Sequence, residues 1–189
     1  LGLIGGSIAR ALRALPPGAG SLAGATLVGW TPSGDGPRQA KNDGAIDVAA
    51  ETLEDTVEGA DLVVLAAPPL AVLDLLDRLV GPARGALGDA LVTDVTSAKA
   101  VIVGRAADHG LRFVGGHPMA GRETSGFAAA SGDLFRGRPW VIVPGNASSA
   151  DLDQVAALAG ACGATPMSMT AADHDAAVAM VSHLPLVVA

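Results

Sequence analysis

Leu62-Val-Val-Leu-Ala-Ala67 is apolar at every position and ends on Pro68-Pro69. A run this short cannot cross a bilayer, and continuous rather than alternating apolarity suits a strand buried on both faces. Such a strand needs helices packed above and below it. The rest of the chain supplies that pattern. Further β-type runs stand at Ala25–Trp30, Ala90–Val95, Arg112–Val114 and Trp140–Pro144, with a weaker one at Ala164–Met169. Between them Ser7–Leu15, Leu70–Leu79, Ala98–His109 and Ala150–Ala161 carry helical periodicity. Strand and helix in alternation predict an α/β fold with a mainly parallel sheet and helices on both faces. Thr31–Pro37, with two prolines and two glycines, reads as a loop, and Met119–Arg138 as a second, long one. From Thr170 the pattern turns helical almost to the end. The chain therefore divides into residues 1–169, one sheet domain, and 170–189, the opening helix of an all-helical domain.

Composition narrows the partners. Of 189 residues half are apolar and 16% charged, enough for a sizeable core. A net charge of −7 argues against nucleic acid and anionic membranes. The single cysteine, Cys162, cannot form an internal disulfide or a metal cluster, so it is expected small and buried near a helix end, in a cytoplasmic protein.

The first seven residues, Leu-Gly-Leu-Ile-Gly-Gly-Ser, run directly into a helical pattern. Gly2 and Gly5 have the spacing of the second and third glycines of the dinucleotide fingerprint, whose first glycine and strand would lie upstream of Leu1. Pyrophosphate would sit at the helix N-terminus, where free N–H groups and the dipole favour an anion. An ordinary glycine-rich turn is the alternative. The strand Ala25–Trp30 ends at about the interval a Rossmann-type fold requires. There Thr31 stands where an NAD-binding chain usually has a carboxylate for the ribose. With Ser33 and Arg38 nearby this leans towards NADP, although Asp35 could approach the ribose instead.

Gly115-Gly-His-Pro-Met-Ala-Gly-Arg-Glu-Thr-Ser-Gly126 places one imidazole in a glycine-rich turn after an apolar strand, with Glu123 six residues on. Histidine has the unperturbed pKa suited to proton transfer near neutrality. A strand-capping surface histidine is the competing reading. Thr93-Asp-Val-Thr-Ser-Ala-Lys99 sits where a strand meets a helix, so Thr96 or Ser97 is expected as the N-cap. Ligands of open α/β sheets bind beyond the carboxyl ends of strands, which places Ser97 to bond both nicotinamide and a substrate hydroxyl. Lys99 reads as a solvated or ion-paired helix residue. Pro68 offers either a flat wall for a cofactor ribose or simply a stiff turn into a helix. On the last helical segment His174 and His183 are about two and a half turns apart and face different ways, so no shared metal is expected. His174, between Asp173 and Asp175, reads as solvated or capping. His183 is the better placed to reach a cleft.

Together Gly2–Ser7, Asp94–Lys99, Gly116–Gly121 with Glu123 and Ser125-Gly126, Trp140–Pro144 and Ser182–Pro185 resemble the prephenate and arogenate dehydrogenase family of tyrosine biosynthesis. The resemblance spans nearly the whole chain. It implies NAD(P)-dependent oxidative decarboxylation of prephenate to 4-hydroxyphenylpyruvate, with arogenate as the alternative substrate. His117 would be the catalytic base, and Ser97 would act beside it near the nicotinamide. Glu123 and His183 would bind on the substrate side. Gly2, Leu3, Ile4, Gly5, Thr31, Pro68 and Ser97 would hold the cofactor. No metal is implied, and a homodimer is. The chain departs from the family at Leu186, where a second histidine often stands, and it stops short of most of the helical domain. A β-hydroxyacid dehydrogenase would need a lysine that residues 171–189 lack. A non-catalytic dinucleotide-binding module would need no proton acceptor such as His117.

Overall fold

The computed structural model describes residues 1–180. Helix α1 (Leu3–Arg13) leads to strand β1 (Val28–Gly29), helix α2 (Asp35–Asn42), strand β2 (Val48–Ala49) and helix α3 (Leu53–Val57). Strand β3 (Leu62–Leu65), helices α4 (Pro69–Val80) and α5 (Arg84–Leu87), strand β4 (Leu91–Asp94) and helix α6 (Ala100–Asp108) follow. Strand β5 (Phe113–Pro118), a 3-10 turn (Phe127–Ala129), strand β6 (Pro139–Val143), helix α7 (Ser149–Ala161), strand β7 (Thr165–Ser168) and helix α8 (Ala171–Val178) complete the order.

β1 and β2 pair in parallel, and β3-β4-β5-β6-β7 form a five-stranded sheet in sequence order. Every pairing in it is parallel except β5 with β6, where His117 faces Val141. The expected mainly parallel sheet is thus present, with one antiparallel pairing beyond which β6 and β7 both run opposite to β3–β5. A parallel crossover normally carries a helix. The segment between β5 and β6 carries only the short 3-10 turn, so the strand it delivers runs back beside its predecessor.

Successive residues of a strand face opposite sides of the sheet, and the two cores follow that rule. Leu91 and Val114 pack into one apolar cluster, with Ile8, Trp140 and Leu158. Their neighbours Val92 and Phe113 pack into the other, with Leu76 and Ile102. All four β4 residues are buried, including the polar Thr93 and Asp94.

Local chemistry sets the helix starts. Pro69 occupies the first turn of α4, where its missing N–H costs nothing, and Pro68 ahead of it is extended. Ser148 and Asp151 form a reciprocal capping box on α7. The Thr52 hydroxyl accepts the Asp55 N–H at the start of α3.

Several boundaries differ from expectation. α1 begins at Leu3, four residues before Ser7, so Gly5 and Gly6 lie inside the helix. β5 runs on to Pro118, so His117 belongs to the strand rather than to a turn after it. The loop expected over Thr31–Pro37 gives way to α2 at Asp35, and β2, α3 and α5 are additional short elements. α8 starts where the final helix was expected, while residues 181–189, and with them His183, lie outside the described residues. Among the described residues no helix is long and apolar enough to cross a membrane.

Candidate active site

The carboxyl ends of β3, β4 and β5 lie side by side, and the residues singled out in the sequence collect along that edge. His117 stands near the end of β5, half-buried. Its Nδ1 is 2.8 Å from Nε2 of His174, which α8 brings in edge-on with ring centroids 5.1 Å apart. The Nδ1 of His174 in turn lies 2.8 Å from a carboxylate oxygen of Asp175. Burial, reinforced by the neighbouring His174 and the Lys99 charge and opposed by Asp175, pushes the His117 pKa from 6.5 down to about 4. The ring is therefore neutral at physiological pH and holds a lone pair ready for a proton.

Beneath it lies a buried ion pair. Lys99 is fully buried, its ammonium bonded to the Asp94 carboxylate and donating to the Gly116 carbonyl at 2.7 Å. Burial lowers the Lys99 pKa, with Asp94 opposing. Asp94 also accepts the Gly116 N–H at 3.2 Å and both the N–H and hydroxyl of Thr96, at 2.9 and 2.5 Å. Only glycine fits at 116: a methyl there would stand 2.5 Å from the Asp94 carbonyl oxygen. This close approach joins the end of β4, three residues before Ser97, to the strand that carries His117.

The start of α6 corrects an expectation. Neither Thr96 nor Ser97 caps it; the cap residue is Lys99, whose side chain makes no capping bond. The Asp175 carboxylate accepts the Lys99 and Ala100 N–H groups at 2.8 and 2.9 Å instead. Burial alone would raise the Asp175 pKa, but these bonds and the one to His174 hold it below the usual carboxylate value. Ser97 is half-buried on the β4–α6 connection. Glu123 is exposed on the connection after β5. The expectation for Lys99 resolves to a buried ion pair, and the solvated reading of His174 is overturned, since it is 1% exposed.

The other end of the edge fits a dinucleotide. Gly2 is the N-cap of α1, no side chain caps that helix, and a Cβ at Gly2 would meet nothing within 4 Å. As the first residues of the helix, Leu3, Ile4 and Gly5 have N–H groups without intrahelical partners, an arrangement suited to an anion. A Cβ at Gly5 would lie 3.1 Å from the Ala66 Cβ, so the helix packs closely on the end of β3. Gly6 is tighter still, its Cβ position 2.7 Å from the Phe127 ring and 2.9 Å from Ala130. The Thr31 hydroxyl, just past β1, is buried without a hydrogen-bond partner among the described residues, a polar atom awaiting one. Arg38 is held by Asp35 at 2.6 Å and by the Ser33 carbonyl. Pro68 caps α4 as a stiff turn at the end of β3.

With this geometry in hand, comparison with known proteins is specific. The family model described as prephenate dehydrogenase, nucleotide-binding domain, matches residues 9–167. The chain belongs to that family. It is 34% identical over 194 residues to the prephenate dehydrogenase of Bacillus subtilis, covering all of this chain and 50% of that protein. The fold matches the crystal structure of A. aeolicus prephenate dehydrogenase in complex with hydroxyphenyl propionate and NAD+, at a TM-score of 0.86 and 28% identity, over 99% of this chain and 63% of that one. Synechocystis arogenate dehydrogenase matches with a TM-score of 0.82 and 32% identity, over 98% of this chain and 63% of that one. The chain thus spans about half to two thirds of the length of these relatives.

The family's glycine start and His-Pro-Met-Ala-Gly segment were visible as local strings of sequence. Lys99, Asp94, His174 and Asp175 were given no part in the site from sequence. One signal was available for the first pair: a carboxylate ending an otherwise apolar strand, with a cation five residues later. For His174 the sequence offered only flanking acids, which point to solvent.

Proposed function

We propose that the protein is an NAD(P)-dependent dehydrogenase that oxidatively decarboxylates prephenate, with His117 as the base. The observation that carries this reading is a neutral, half-buried imidazole at the end of β5, on the strand edge that also holds the uncapped start of α1. The nicotinamide dinucleotide supplies a hydride acceptor when bound. Gly2, Leu3, Ile4 and Gly5 hold its pyrophosphate, with Thr31 and Pro68 along its ribose side. His117 takes the proton of the ring hydroxyl, and Ser97, on the adjoining strand end, bonds that hydroxyl. Loss of the carboxylate as CO2 yields an aromatic ring, so the chain's task is orientation and one proton. Glu123 organises the substrate side; the resemblance assigns His183, which lies outside the described residues, to the same side, and reads the segment from residue 170 as the opening of a helical domain.

Cofactor preference stays between the two nicotinamide dinucleotides. Thr31 offers no carboxylate for a ribose diol, which leans to NADP, whereas Arg38 is engaged by Asp35 rather than free for a 2′-phosphate. The NAD+ in the A. aeolicus structure supports the other choice. Arogenate is the alternative substrate, supported by the Synechocystis relative. The resemblance supports a homodimer. A buried cysteine whose thiol burial pushes up to about 12 fits a reducing, cytoplasmic setting.

The test is the complete protein assayed with prephenate and arogenate against NAD and NADP, following reduced nicotinamide. Turnover that needs substrate and falls by about 10²-fold or more in His117→Asn, with dinucleotide affinity retained, is the expected result. Near-normal turnover in His117→Asn overturns the assignment. Dinucleotide binding without turnover on either substrate would mark a binding module instead.

A further inference from the structure

His174 is a fully buried polar group of the site that the proposed reaction leaves without a task. It is 1% exposed, yet both of its ring nitrogens are engaged. The hydrogen positions along this chain of contacts follow from its far end. Asp175 accepts two backbone N–H groups, from Lys99 and Ala100, and a backbone N–H cannot reverse its role. Its carboxylate is thereby held ionised and can only accept. The Nδ1 of His174, 2.8 Å away, must then carry the proton and donate it. A neutral imidazole protonated at Nδ1 presents a bare Nε2. That atom lies 2.8 Å from Nδ1 of His117, so His117 donates there and its own Nε2 is left with the free lone pair.

We propose that His174, backed by Asp175, is a positioning residue that locks His117 in the Nδ1–H tautomer and so makes Nε2 the atom that accepts the substrate proton. The assignment rests on the reading of His117 as the base and names which of its nitrogens acts. The lock has a second anchor. Because the same Asp175 carboxylate caps α6, the rotamer of His174 is fixed from α8 and from the start of α6 together. The orientation of the base is therefore supplied by a helix that follows the sheet, and not by β5 alone.

The experiment measures the tautomer directly and the kinetics beside it. The chain has four histidines, few enough for long-range proton–nitrogen NMR correlations of the imidazoles to be assigned by substitution. In the wild type the His117 ring is expected to show a protonated Nδ1 and a bare Nε2. In His174→Leu that pattern is lost, with kcat reduced about 10²-fold while KM and dinucleotide affinity change little. In His174→Gln the amide oxygen can accept from His117 and its NH2 group can donate to Asp175. This variant is expected to keep the tautomer and recover most of the lost kcat. A wild-type His117 protonated at Nε2 overturns the proposal. So does His174→Leu with an unchanged tautomer and rate. If His174→Leu does not fold, the wild-type spectrum and His174→Gln decide alone: a Gln variant without the Nδ1–H pattern counts against the lock. Absence of turnover in the wild type would refute the dehydrogenase reading, while the spectra would still settle the tautomer.

Discussion

Lys99 and Asp94 are both fully buried, and among the described residues each is the other's only opposite charge in direct contact. Removing two ions from water costs more than most ion pairs return, so such a pair adds little net stability compared with an apolar replacement. Removing one member is different, because it strands the other charge. Lys99→Met should therefore destabilise the protein by about 3–5 kcal/mol. Part of that loss is specific to position, since the ammonium also holds the Gly116 carbonyl one residue before His117. The paired change Lys99→Met with Asp94→Asn should cost clearly less than the sum of the two single changes. Urea unfolding of all four proteins measures the coupling, and additive costs would show that the pair does not act as a unit. The sequence offers a carboxylate and a cation five residues apart, but not the burial of the pair, which is decided by the convergence of β4 and β5 at Gly116.

At the scale of elements, the legible features were those that carry their own chemistry. The apolar runs of β3 and β4 and the helices α4, α6 and α7 stand where periodicity put them, within one or two residues at each end. α2 was hidden because its start lies in a stretch of Pro and Gly and most of its residues are polar. β1 is a two-residue piece of the run expected over Ala25–Trp30, whereas β2, also two residues long, is too short for any period to show. The reversal of β6 followed from an absence, the missing crossover helix, rather than from any residue within it. α7 was among the most readable, and its stability has a local source. Ser148 and Asp151 cap one another, and Asp151 also takes an ion pair from Arg112 just before β5. Ser148→Ala should cost about 1 kcal/mol and leave dinucleotide binding unchanged. Asp151→Ala should cost more, because it removes both the cap and the tie to the sheet. Equal losses in thermal or urea unfolding would show that the Arg112 contact contributes nothing.

Across the whole molecule, the site joins residues that sequence proximity cannot pair. His117 and His174 are 57 positions apart and meet only because α8 packs on α6, whose first turn Asp175 caps. The proposed pyrophosphate cradle, by contrast, lies within the first seven residues and was visible at once. The meeting of the two histidines also leaves a mark on the stability of the entire chain. The folded protein lowers the His117 pKa from 6.5 to about 4, chiefly by burial. Below pH 6.5 the unfolded chain takes up a proton there that the folded chain refuses until about pH 4. Stability from this group is therefore complete above 6.5 and declines as pH falls from there towards 4, by up to about 3 kcal/mol. Asp47, Asp77, Asp133, Asp151 and Asp175 have the same sign at lower pH. Their folded pKa values lie below 3.8, so what they contribute is present above that value and lost beneath it. The two windows are separable. Urea unfolding at steps between pH 7 and 4 should show a decline in the wild type that His117→Asn largely abolishes, because asparagine cannot titrate. A variant that declines as steeply as the wild type would place the proton uptake elsewhere and remove the buried imidazole as its cause.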